Sequence, residues 1–304
     1  QRSLITLNSA KSLRSGALLM LTAAIWGAAF VAQSAGMEFI GPFTFNGLRT
    51  LIGAVVLIPV AWAVHRAHGA PIPWKRTLAG GAVCGLVFFA AVNLQQIGIQ
   101  YTTAGKAGFI TAMYVVLVPI VGLALGKRPG VLVWAGVVLA CAGMYLLCMT
   151  DGLSLGRGDA LILASAFGFT AHILVIDRFA ADVDGIIFSI VQFAVAGTLS
   201  CLVMAFTETP SIPALAGAAP AILYAGVLSC GAGYTLQIVA QKNVDPTVAS
   251  ILLSLESVFA AVFGALILHE SMTSRELLGC ALMFAAIVLA QLPAPKRAKS
   301  EKRA

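Results

Sequence analysis

Charge is what this sequence has least of. Its 304 residues include 19 Lys and Arg and 12 Asp and Glu, 10% in all, against roughly 25% in an ordinary soluble domain. Apolar residues make up 60% of the chain, and its mean hydropathy is +0.95. A water-soluble fold of this size needs more polar surface than that, so the exterior must face lipid. A soluble enzyme, a disordered chain and a nucleic-acid binder are excluded. Paired cysteine motifs are also missing. Cys84, Cys141, Cys148, Cys201, Cys230 and Cys280 all lie in apolar runs, with no Cys-x-x-Cys and no Cys/His cluster. They read as small packing residues, and nothing in the sequence calls for a metal or a cofactor.

Catalytic signatures are absent too. No His-Glu-x-x-His or Gly-x-Ser-x-Gly occurs, which removes zinc-protease and serine-hydrolase chemistry. Gly156-Arg157-Gly158-Asp159 matches the Gly-x-Gly-Asp of intramembrane aspartyl proteases. That chemistry needs a second facing carboxylate at membrane depth, and Asp159 instead opens a helix beside Arg157. Gly105-Lys106 lacks the upstream Gly of an ATP-binding loop, since Gln100 stands there, and Ala107 replaces its Ser or Thr. ATP is not expected as a partner, and the protein is not expected to be an enzyme.

What is present is a succession of long apolar runs. Crossing roughly 30 Å of hydrocarbon takes about 20 helical residues. Runs of that kind fall at 16–36, 43–64, 77–99, 105–126, 130–149, 159–177, 185–206, 215–239, 247–268 and 275–292. With ten spans both termini share one side. If that side is the cytoplasm, inside segments hold fifteen Lys and Arg, from Arg2, Lys11 and Arg14 to Lys302 and Arg303, while outside loops hold three, Lys106, Arg157 and Arg275. This asymmetry follows the positive-inside rule. The expected product is an all-α, multi-pass protein of the cell's inner (plasma) membrane with both termini cytoplasmic.

The chain also resembles itself. At an offset of 142 positions Leu94-Gln95 falls on Leu236-Gln237, Ala107 on Ala249 and Gly122 on Gly264, and the spans opening at Gly16 and Gly158 correspond. The expected organisation is a cytoplasmic tail over 1–15, a first five-helix repeat over 16–150, a second over 151–292, and a basic cytoplasmic tail over 293–304. Five is odd, so the second copy must lie inverted in the membrane. Inverted repeats place a site near mid-bilayer between the halves, as in secondary transporters.

Several stretches carry a family resemblance covering about 14–292. They are Ala24-Ile25-Trp26-Gly27, Arg49 early in the second span, and Tyr101-Thr102-Thr103-Ala104-Gly105-Lys106-Ala107-Gly108-Phe109-Ile110. The clearest is Leu255-Glu256-Ser257-Val258-Phe259-Ala260-Ala261, followed by Leu268-His269-Glu270 and Leu277-Leu278-Gly279. In these the chain resembles the drug/metabolite transporter superfamily, in its ten-helix branch with two EamA-like repeats, and within it the aromatic amino-acid exporter type. The resemblance implies a secondary active transporter that exports small organic solutes, amino acids or related metabolites, by alternating access. A multidrug-type exporter of organic cations and a channel are the alternatives. The chain departs from the pattern at Ser257, where the family often has Pro, and at Gly126-Lys127, where it often has Gly-Glu. A mechanism needing one carboxylate from each half is therefore in doubt.

Polar groups within the hydrocarbon are expensive, so each needs a partner, a cavity or a task. Glu256 lies at mid-span, and the offset of 142 places it on Tyr114. Glu256 is a candidate for binding a substrate ammonium or a coupling proton, or for a neutral interhelical hydrogen bond. Asn93, Gln96 and Gln100 follow i, i+3, i+7 spacing and form one amide stripe, a candidate cavity lining. Trp26 sits at mid-depth, away from the interface where Trp is usually found, and could wall the cavity or pack. His172 reads as a helix–helix hydrogen bonder or a proton relay. Arg49 reads as a structural anchor, a gate or a contact for a substrate carboxylate. Glu270 reads as a helix-end charge at the interface near Arg275. The expected partners are a small-molecule solute, the lipid bilayer and a coupling proton.

Overall fold

The computed structural model describes residues 2–68, 71–102, 104–148, 156–267 and 273–291. Among the described residues no strand occurs. The helices are α1 (Arg2–Gly36), α2 (Pro42–His68), α3 (Trp74–Ile99), α4 (Ala104–Thr111), α5 (Tyr114–Ala124), α6 (Val131–Cys148) and α7 (Arg157–Phe179). They continue with α8 (Gly185–Thr207), α9 (Ile212–Leu223), α10 (Thr235–Gln241), α11 (Pro246–Leu253), α12 (Glu256–Ile267) and α13 (Ser274–Gln291). Among the described residues seven helical stretches are long and apolar enough to cross a membrane, and three shorter apolar ones lie at Val131–Leu146, Pro246–Ala260 and Leu277–Leu289. An all-helical answer follows from the solvent. In lipid every backbone N–H and C=O must be satisfied within the protein, and a helix does this locally.

The distribution of side chains inverts that of a soluble protein. Asn46, Gln96 and Gln192 are fully buried, whereas Val55 is 62% and Val138 68% exposed. Apolar residues face outward because lipid is the outer medium, and amides turn inward, where other helices can pair with them. This is a multi-pass membrane protein.

Two of the helices expected to be continuous are broken, at matching places. The stretch after Tyr101 stops at Thr111 and restarts at Tyr114, and the stretch after Asp245 stops at Leu253 and restarts at Glu256. At both breaks the backbone tightens from four-residue to three-residue hydrogen bonds. Met113 donates to Ile110 and Val115 to Ala112, while Leu255 donates to Leu252 and Ser257 to Ser254. Neither break contains Gly or Pro. In the second, the Ser254 hydroxyl donates to the Ile251 carbonyl at 2.7 Å and satisfies an acceptor exposed by the kink. The broken helices pack crosswise, α4 on α12 and α5 on α11, while α6 lies against α13 and α2 against α8.

The region expected as one span over 215–239 is also irregular. Its middle, Tyr224–Tyr234, is a π-helical turn sequence between α9 and α10. The wider turn shifts the carbonyl ladder, and two of its carbonyls take side-chain donors from α1, Ser229 from Trp26 and Gly233 from Thr22.

Small residues set the closest helix contacts, as expected where helices pack without a hydrophobic driving force. A Cβ on Gly98 of α3 would come within 2.8 Å of the Gly158 carbonyl on α7, and one on Gly158 within 2.7 Å of the Gly98 carbonyl. The Gly81 and Gly85 pair faces α8 within the same chain. Gly122 and Gly126, which share that spacing, do not: Gly126 instead ends the segment in a turn at φ +80°. Glu208, at the end of α8, caps α2 by accepting from the Phe43 and Thr44 amides at 2.9 and 2.8 Å. A carboxylate at a helix N-terminus satisfies free N–H groups and favours the helix dipole.

Candidate functional site: a central cavity between the broken helices

A small cavity of about 30 Å³ lies where the two breaks meet. Its wall comes from many elements: Trp26, Ala29, Phe30 and Gln33 from α1, Arg49 from α2 and Gln95 from α3. Thr111 and Tyr114 flank the first break, Glu256 follows the second, and Phe169, Ser229 and Tyr234 complete the lining. Across it the Tyr114 hydroxyl donates to Glu256 Oε1 at 3.1 Å, over a sequence separation of 142. That separation equals the internal offset read from the sequence.

Trp26 is placed by its indole N–H, which reaches the Ser229 carbonyl at 3.5 Å, and by its ring, 4.4 Å from that of Tyr234. It lies at the head of an aromatic cluster. The Phe88 ring is 4.6 Å from Tyr234 and 5.7 Å from Phe193, and His172 lies edge-on to Tyr234 at 5.8 Å. Gln33, Arg49, Gln95 and Thr111 all lie within about two turns of helix ends at Gly36, Pro42, Ile99 and Ala104. Short connections join those ends, so they share one side of the bundle, and the polar part of the cavity lies toward that side. Toward the other side stand the aromatic cluster and a Lys127–Asp177 ion pair linking the end of the α5 segment to α7.

The sequence candidates therefore separate. Trp26, Tyr114, Glu256 and Arg49 line the cavity. His172 is 1% exposed but pairs with Gln192 of α8 at 3.0 Å, behind Tyr234 and Phe88. Asn93 and Gln96 are buried in helix contacts. Asn93 accepts from Asn46 and donates to Ser200 at 3.0 and 2.9 Å, and Gln96 donates to the Gln33 carbonyl at 3.3 Å. Gln100, the last of the amide stripe, is exposed. Glu270 lies outside the described residues, and Arg275 stacks over Tyr145 at 5.5 Å.

Eight of the twelve lining residues were not singled out from sequence, among them the polar Gln33, Gln95, Thr111, Ser229 and Tyr234. Gln95, one position off the stripe, donates to Thr111 at 3.0 Å inside the cavity. Gln33 and Ser229 also line it. The repeat held one signal for Gln95, since the offset places it on Gln237, another buried amide.

Arg49 is 1% exposed, so its side chain turns inward and does not snorkel to a membrane surface. Its Nε donates to Asn46 Oδ1 at 2.7 Å, and its guanidinium lies 5.5 Å from the centre of the Phe45 ring. Asn46 is held in turn by the Val92 carbonyl and Asn93, each at 3.0 Å. This chain of hydrogen bonds connects α2, α3 and α8 and fixes the direction in which Arg49 points.

Among known proteins, a profile described as the EamA-like transporter family matches residues 14–149 and again 156–292. An uncharacterized transporter of Archaeoglobus fulgidus is 29% identical over 90% of this chain and 84% of its own length. The uncharacterized inner membrane transporter YedA of Escherichia coli is 24% identical over 88% and 87%. A crystal structure of 20% identity superposes at a TM-score of 0.74, covering 94% of this chain and 98% of the other. It supports the fold.

Proposed function

Because the chain belongs to the EamA-like transporter family, we propose that it is a secondary active transporter that exports small organic solutes, amino acids or related metabolites, by alternating access through the central cavity. Its ten spans form two five-helix halves of opposite orientation. The observation that carries this is the pairing of breaks. Thr111 and Leu253, where helices stop, and Tyr114 and Glu256, where they restart, are each 142 residues apart. Two equivalent positions of a pseudo-symmetric pair can touch only where they lie on the symmetry axis, and Tyr114 touches Glu256. Discontinuous helices in corresponding positions of two halves mark the solute site of transporters, because unwound backbone offers donors and acceptors at mid-membrane.

With both termini cytoplasmic, the cavity side that holds Gln33, Arg49 and Gln95 faces outward, and the aromatic cluster and the Lys127–Asp177 pair close the inner side. Exchanging the conformations of the halves would open the inner side and close the outer one. Export direction and amino-acid chemistry come from the family resemblance, and the aromatic walls and polar groups of the cavity are compatible with both.

The test is reconstitution into liposomes with a screen of labelled amino acids under imposed pH and voltage gradients. Saturable uptake, accelerated by unlabelled solute on the opposite side and without ionic conductance, is the expected result. Conductance without counterflow would make the protein a channel.

A further inference from the structure

Arg49 is buried, lines the cavity, and has a donor with nothing to bond. Its Nη2 finds no hydrogen-bond partner among the described residues, and no described carboxylate forms an ion pair with it. A buried guanidinium left this way is costly unless an anion completes it. Yet the Asn46–Asn93 network fixes the group through its Nε–H and leaves Nη2 buried and without a partner, the arrangement of a preorganised donor.

We propose that the Arg49 guanidinium is the anion subsite of the central cavity, and that the solutes the cavity admits carry a carboxylate that pairs with its unpartnered Nη2. The inference rests on the cavity being the solute site. Arg49 is the one cationic side chain in the described lining, and Glu256 shares that lining. One positive charge with a carboxyl nearby suits a monoanion and disfavours a phosphate dianion, which calls for several donors and cations. Acceptors in the same lining serve the solute's ammonium: Gln33 Oε1, also without a partner, and Glu256. A donor for a carboxylate and acceptors for an ammonium, in a lining that also holds the rings of Trp26 and Phe169, describe a site for zwitterionic amino acids with an apolar side chain. Asn93 is then a positioning residue that acts through Asn46.

The test is binding to the full-length protein in lipid nanodiscs, with L-phenylalanine, L-phenylalaninamide and tetraphenylphosphonium as probes. Wild type should bind the acid about tenfold or more tightly than the amide, the size expected for a charge-assisted hydrogen-bond pair. Arg49→Gln should weaken the acid by about tenfold to a hundredfold and leave the amide unchanged, with Arg49→Lys between the two. Should wild type bind the amide or tetraphenylphosphonium as tightly as the acid, the proposal fails without recourse to any variant. An Arg49→Gln protein that keeps the preference for the acid also overturns it. If none of the three probes binds, the proposal is rejected, while counterflow of some other solute by the same preparation leaves the transporter reading standing.

Discussion

Glu256→Gln is expected to slow exchange of zwitterionic amino acids by about tenfold or more while sparing uncharged solutes. Glu256 is 4% exposed, sits where a helix restarts after a break, and receives one hydrogen bond, from Tyr114. A carboxyl at this depth escapes its desolvation cost by pairing with a cation or by binding a proton. Gln keeps the shape and the acceptor for Tyr114 but removes both options, so the protein should stay folded. Parallel measurement of counterflow and of net flux driven by a pH gradient separates the roles. Loss of exchange assigns Glu256 to the solute ammonium. Loss of pH-driven flux with exchange intact assigns it to a coupling proton. Wild-type behaviour in both would make it a neutral interhelical hydrogen bonder.

Gly27→Ala should be the most damaging one-carbon change near the cavity. A Cβ there would lie 2.6 Å from Phe259 Cβ, 2.7 Å from the Ala260 amide nitrogen and 2.8 Å from the Glu256 carbonyl oxygen. Two of those atoms are backbone, so no rotamer change relieves the overlap, and α1 must shift away from α12. Overpacking costs about 1–3 kcal/mol, and this site belongs at the upper end. The shift would also move Trp26, the neighbouring cavity residue. Thermal unfolding in detergent should show a clear drop in Tm for Gly27→Ala. Gly108→Ala is the control, because its nearest atom would be Ser257 Oγ at 3.8 Å, and its Tm should stay the same or rise slightly. Equal Tm values for both variants would contradict the close α1–α12 contact.

The membrane class was legible from composition, since too little charge leaves lipid as the only outer medium. The apolar stretches were legible from length, because hydropathy averages over a whole span and ignores local irregularity. The same averaging hides the breaks. Ala112-Met113 and Ser254-Leu255 contain no Gly or Pro, so no residue type in the sequence marks those breaks. The π-helical stretch does carry Gly226, Gly231 and Gly233, but an average over the whole span passes over them as well. Helical spacing marked the amides of α3 as facing protein, but burial is not cavity lining. Asn93 and Gln96 bond to other helices, while Gln95, off their stripe, reaches the cavity. For Arg49 the sequence gives a charge at membrane depth, and only the position of Asn46, three residues before it, fixes how its guanidinium is held.

Alternating access through this cavity can be tested without knowing the solute. Ser229→Cys, in a background without native thiols, places a small nucleophile in the lining at a residue only 2% exposed. Cysteines at Glu38, in the turn after α1, and at Arg66, in the last turn of α2, both exposed, mark the two faces. Membrane-impermeant thiol reagents are then added to one side at a time in right-side-out and inverted vesicles. The account predicts that the thiol at 229 reacts from both faces, while the thiols at 38 and 66 each react from one, with no ionic conductance in the same vesicles. Reaction at 229 from a single face, or from neither, would contradict it.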